Sequence, residues 1–205
     1  MNEITGADWR ALLTRAHDAL REAVTGVGPD GWDLPTPCEK WTVTQVLQHA
    51  AGDQIGFSAA ITGGPWPSED PFAPSGRVAG DPLALLDRAL EASATAYAGV
   101  ADADPEVATP LPQGAMPAWL ASGACALDAA VHAWDIAVAT GRPSPLSPEI
   151  AAPLMTVATA IVEPLRKYGA YAEAIEPDAG AGAAETLLCY LGRRPAWTPV
   201  SGARG

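Results

Sequence analysis

The sequence is short of charge, and of positive charge above all. Charged residues make up 18% of 205, and 12 Lys and Arg face 24 Asp and Glu, for a formal net charge of −12. Phosphate backbones and anionic membrane surfaces repel such a chain, which argues against nucleic acid as a partner. Cysteine is scarce too. Cys38, Cys125 and Cys189 are odd in number and form no Cys-x-x-Cys pair, so they fit neither a disulfide framework nor a cysteine zinc site and read as reduced thiols. No apolar run reaches the roughly 18 residues that a membrane helix needs. The segment Met1 to Trp9 carries Glu3 and Asp8 and lacks an apolar core of about seven residues, unlike a secretory signal. The expected location is the cytoplasm.

Hydrophobic residues are plentiful at 48%, and Ala-rich stretches alternate with Pro and Gly clusters, the pattern of helices separated by definite breaks. The length suggests a single domain over residues 1–205. Trp9, Leu12, Leu13, Ala16, Leu20, Ala23 and Val24 recur at three and four, predicting an amphipathic helix from Ala7 to Val27. The stretch from Gly31 to Trp41 has two prolines and no period, and reads as an extended connector pinned by Trp32 and Trp41. Thr42 with Gln45 three residues on is a capping box, so a second helix starts there and runs through His49 to Thr62. Residues 65–80 form a long loop that is either mobile or the rim of a site.

Asp81-Pro82 caps a third helix that fades near Ala101, and a fourth, the longest and most apolar, spans Pro117 to Thr140. Ser147-Pro148 opens a fifth toward Lys167, with Pro153 and Pro164 expected to kink or restart it. A short last helix covers Ala183 to Leu191, and residues 193–205 read as a tail. No strand pattern appears. Helices with one apolar face each can bury those faces together as an all-α bundle of four helices, with the short C-terminal helix packed on it.

There are three histidines. His17 lies beside Asp18, toward the polar side of its helix, and reads as a solvated or partly packed side chain. His49 lies among Val46, Ala50 and Phe57, where an unpaired imidazole would be costly. Asp128 and His132 are four apart on an otherwise apolar helix, so their side chains leave one face a turn apart. They form either a buried hydrogen-bonded pair or, with His49, a two-nitrogen, one-oxygen metal set with positions left for water or substrate. Asp135 is placed to hold a ligand's free ring nitrogen, to be a fourth ligand or to make a structural hydrogen bond, and Asp53 and Gln45, which flank His49 by one turn, have the same alternatives. The tryptophans read as anchors, and Cys38 shows no neighbour that would activate it.

Three segments carry a family resemblance: Pro35-Thr-Pro-Cys-Glu-Lys-Trp-Thr-Val43 leading to His49, Val131-His-Ala-Trp-Asp-Ile-Ala-Val-Ala-Thr-Gly141, and Leu191-Gly-Arg-Arg-Pro195. In this order they resemble the actinobacterial proteins related to mycothiol-dependent maleylpyruvate isomerase. The resemblance implies a DinB-like up-and-down bundle with a divalent metal, Zn²⁺ in the isomerase, held by a His on the second helix and a Glu-x-x-x-His pair later. His49 and His132 match that pattern; Asp128 stands where the isomerase has Glu and reaches one methylene less far. The implied activity is a thiol-dependent isomerase or transferase reaction on a small molecule, in which a mycothiol thiolate adds to a conjugated diacid and permits cis/trans rotation. A dianionic substrate or cofactor would need cations, and the nearest in sequence, Arg142 and Arg166, sit near helix ends. Two rival readings keep the fold: a thiol-independent specialised-metabolism enzyme with an apolar cavity among tryptophans, and a non-catalytic binding or dimerisation module. A homodimer is the common symmetry for either.

Overall fold

The computed structural model describes residues 6–101 and 106–199, and for residues 6–8 the backbone alone. Six helices follow one another: α1 (Gly6–Thr25), α2 (Val43–Thr62), α3 (Pro82–Ala98), α4 (Ala118–Ala139), α5 (Pro148–Arg166) and α6 (Ala183–Tyr190). No strand occurs among the described residues, only two isolated antiparallel bridges, Pro35 with Thr42 and Val107 with Met116. The chain is all-α, a DinB-like helical bundle. No described helix is long and apolar enough to cross a membrane.

Helix α4 is the axis of the molecule. Its residues from Ala121 to Ile136 are buried almost without interruption, including Trp134, Leu127 and Ile136, so it needs neighbours on every side. Helix α1 packs chiefly on α4, α2 lies against α3 and α4, and α5 joins α4 to α6. The start of α2 is locked as its sequence predicts. Thr42 accepts from the Gln45 amide, and the Gln45 side chain accepts from the Thr42 amide. The 31–41 connector is tied to this turn by the amides of Val43 and Thr44, which donate to Leu34 and Trp32.

Two expectations need correction. Helix α5 is continuous through Pro153 and Pro164. The carbonyls that lose a partner belong to Glu149 and Ala160, both exposed residues within reach of water, while Leu154, Val157, Ala158 and Ile161 bury the opposite stripe. His17 is buried rather than solvated. Its Nε2 lies 2.8 Å from Gln54 Oε1 and 3.4 Å from Ser93 Oγ, and Ser93 donates to the same Gln54 oxygen at 2.8 Å. Gln54 then donates to the Cys125 carbonyl, so one amide joins α1, α2, α3 and α4. A buried polar group with satisfied partners specifies register as well as stability.

The loop over residues 65–80 is strapped to the outer face of α2. Gln48 donates to Ser75 Oγ at 2.9 Å and to the Arg77 carbonyl, and its own oxygen accepts from the Gly76 amide at 2.7 Å. Gln45 donates to the Pro74 carbonyl. A cleft of about 210 Å³ lies under this loop, lined by Gly52, Ile55, Arg77 and Leu85.

Burial lowers the pKa of His17 to about 4, against the hydrogen bond it donates to Gln54, which would raise it. Above the ordinary value of 6.5 both folded and unfolded chains hold this imidazole neutral. As pH falls through 6.5 the unfolded chain takes up the proton first, and the folded state loses stability until about pH 4. Denaturant unfolding of wild type and His17→Gln between pH 7 and 4 should show the variant with the flatter acid limb, by about 3 kcal/mol at most. Parallel curves would place His17 outside the acid response.

Candidate metal centre

Two helices, α2 and α4, deliver the ionisable groups to one point. Asp128 and His132 leave the same face of α4 a turn apart, with His132 Nε2 3.3 Å from Asp128 Oδ1. His49 comes from the middle of α2, its Nε2 3.5 Å from the same oxygen, and the two imidazoles meet edge to face at 4.8 Å. Ligand atoms of His49, Asp128 and His132 all lie within 4.8 Å of one another. Edges of about 3.3 Å are what a tetrahedron of donors roughly 2.0–2.1 Å from an ion requires.

Each imidazole is oriented by its far nitrogen. His49 Nδ1 lies 3.0 Å from the Pro71 carbonyl, an acceptor only, so Nδ1 carries the hydrogen and Nε2 faces Asp128. His132 Nδ1 is 2.9 Å from Asp135 Oδ2, which fixes that ring in the same way. The second oxygen of Asp128, Oδ2, is buried and has no hydrogen-bond partner among the described residues. Unpartnered buried carboxylate oxygens are rare, and a cation at this point would satisfy it. The donor set of two imidazoles and a carboxylate suits Zn²⁺ or a similar divalent ion.

Electrostatics follow from burial and proximity. Burial alone would push Asp128 up, but His132 and His49 outweigh it and hold its carboxyl well below the ordinary range. Burial opposes charge on both histidines, yet Asp53 and Asp128 raise His49, and Asp128, helped by the hydrogen bonds that His132 makes to Asp135 and Cys38, raises His132 well above 6.5. Asp53 stands apart from this set. Its Oδ2 is 3.7 Å from His49 Nε2, and burial together with the Asp128 charge pushes its pKa up to about 7.

Behind His132 lies a second layer. Asp135 is fully buried and accepts from Arg193 Nε at 2.9 Å and Arg193 Nη2 at 2.8 Å, a bidentate pair. Cys38 donates its thiol to Asp135 at 3.3 Å and lies 3.2 Å from Arg193 Nη2. Arg193 reaches inward because Gly192 turns the chain at φ 77, where a Cβ would stand 2.7 Å from that of Ala172 and 2.8 Å from the Glu173 carbonyl oxygen. The expected tail thus begins with a residue bound to the interior.

The structure brings His49, Asp128, His132 and Asp135 together, with Asp53 at their edge. It does not bring Arg142 there. That side chain lies past the end of α4, its guanidinium 3.9 Å from Glu22 and 40% exposed. Arg166 is spent on Glu163 and on the carbonyls of Ala172 and Tyr190. The cation beside the cluster is Arg193, which periodicity could not find because it lies outside every long helix. The aromatic rim was also missed. Trp41 packs its ring 4.6 Å from His49, and Phe72, 65% exposed, approaches the same imidazole at 5.4 Å. The Tyr171 hydroxyl feels the charges of Asp128 and Arg193, and burial raises its pKa to about 12.

Replacing Asp135 by Ala leaves the Arg193 charge, 11% exposed, without its partner. Denaturant unfolding should register a loss of about 3–5 kcal/mol, most of it restored in the double variant Asp135→Ala with Arg193→Met. Equal stability of wild type and the single variant would show that water already screens this pair.

The family model of the mycothiol maleylpyruvate isomerase N-terminal domain matches residues 13–137, a span holding His49, Asp128, His132 and Asp135 but not Arg193. Two uncharacterized proteins of Mycobacterium tuberculosis, from strains CDC 1551 / Oshkosh and ATCC 25618 / H37Rv, are each 35% identical over 153 residues, covering 73% of this chain and 77% of the relative. No solved structure matches significantly. The chain therefore belongs to the mycothiol maleylpyruvate isomerase N-terminal domain family.

Proposed function

We propose that the protein is a metal-dependent enzyme of the thiol-dependent isomerase or transferase type, with His49, Asp128 and His132 holding a divalent ion, Zn²⁺ by their chemistry, and mycothiol as cosubstrate. The observation that carries the reading is the convergence of two imidazole nitrogens, each oriented by a bond at its far side, on a carboxylate whose second oxygen has no partner. A bound ion would lower the pKa of a coordinated thiol and so supply a thiolate at neutral pH. Asp53 lies 3.7 Å from His49 Nε2, where it would accept a hydrogen bond from a donor bound at the ion. Trp41 and Phe72 shield His49 from water and offer apolar surface to a substrate.

The rim bears on the substrate. Arg193, the guanidinium beside the cluster, is held by both oxygens of Asp135 and has little charge to spare for a second anion. A small molecule with an apolar body and one polar reacting group fits this rim better than a dianion does. The same feature supports a second reading, a thiol-independent catalyst acting on an apolar substrate.

Elemental mass spectrometry of untagged protein should find close to one divalent ion per chain in wild type and loss of it in both His49→Ala and His132→Ala. Absence of metal from wild type after reconstitution would overturn the metalloenzyme reading and leave a buried Asp–His ion pair. With metal present, turnover that survives omission of the thiol would overturn the mycothiol role and favour the second reading.

A further inference from the structure

We infer that the 65–80 loop is a working part of the metal centre rather than its cover, and that Gly52 is the residue that lets it act. The inference rests on the metal-centre reading and goes beyond it, to what sets the hand of His49. The Pro71 carbonyl is the group 3.0 Å from His49 Nδ1, and it fixes which nitrogen of that ring faces Asp128. To reach it, the loop backbone must come down onto α2 one turn of helix surface away from the ligand. Gly52 is where it lands. A Cβ at that position would stand 2.8 Å from Pro71 Cγ, 3.0 Å from Pro71 Cβ and 3.6 Å from Pro71 Cα.

A proline ring cannot swing aside without its backbone, so a side chain at position 52 would lift the carbonyl off His49. Three further contacts set the same register. Gln45 holds Pro74, Gln48 holds residues 75–77, and Phe72, next to Pro71, lies against the His49 ring. The residues 45, 48, 49 and 52 occupy one stripe of α2, spaced at three and four, so one helix face both carries the ligand and grips the segment that orients it. A helix interior is a poor place for glycine, which costs about 0.5–1 kcal/mol relative to Ala there. A close approach of backbone accounts for it.

That cost makes the test selective. Gly52→Ala should keep the helix content of the metal-free chain, because Ala is the better helix former, while lowering Zn²⁺ affinity by about tenfold to a hundredfold, the range seen when an outer partner of a ligand is lost. Gly56→Ala is the control. It lies one turn further along α2, and a Cβ there would meet Pro110 at an ordinary 3.6 Å. Affinity is read by competition with a chromophoric zinc chelator and folding by circular dichroism. Weakened Zn²⁺ binding in Gly52→Ala with Gly56→Ala unchanged supports the inference. Equal affinity in wild type and Gly52→Ala overturns it and leaves the metal centre standing, and a wild type that takes up no Zn²⁺ overturns both.

Discussion

A helix buried on all sides cannot carry charge unless other segments bring the counter-groups to it, and α4 carries Asp128, His132 and Asp135 inside the protein. Of the three, only His132 finds its counter-groups within α4. Asp128 needs His49 from α2, Asp135 needs Arg193 from beyond α6, and His132 is held between two carboxylates of its own helix. Burying an ion without its partner costs several kcal/mol, comparable with the whole stability of a domain, so the bundle closes only in the arrangement that supplies them all. The candidate site is in this sense a condition of the fold.

The same constraint explains why so many unrelated stretches converge there. The 31–41 connector brings Cys38 and Trp41, the strapped loop brings the Pro71 carbonyl and Phe72, and the turn at Gly192 brings Arg193. Each is anchored by backbone or amide bonds before it contributes a side chain. Helices set the distances among His49, Asp128 and His132, an irregular segment orients the His49 ring, and Asp135 of α4 orients that of His132. Cys38 gains its neighbours from this convergence alone, since nothing beside it in sequence would distinguish it.

How much could be read beforehand followed the range of the signal. The capping box at Thr42 and Gln45 and the proline start at Pro82 are local, and both helices begin where those residues place them. Asp128 and His132 share a face because four residues make about one turn, which a sequence states directly. That His49 faces them is a matter of α2 against α4, which periodicity leaves open. His17 misled because its own turn is polar, while its partners, Gln54 and Ser93, come from two other helices. Arg193 stayed hidden for a similar reason. A buried Asp135 demands a cation, but the chain offers 12 Lys and Arg, and choosing among them requires knowing where the turn at Gly192 points.

Charge balance ties the proposed chemistry to this packing. Arg193 and Asp135 cancel, which leaves Asp128, and Asp53 when ionised, facing two imidazoles. Without an ion, the field of these carboxylates draws protons onto His49 and His132, which is why both are shifted upward against the effect of burial. A divalent ion answers the same field and must displace those protons, so its affinity rises with pH as the imidazoles are freed. Asp128, one methylene shorter than the Glu of the isomerase pattern, keeps one oxygen between both rings and leaves the other unpartnered.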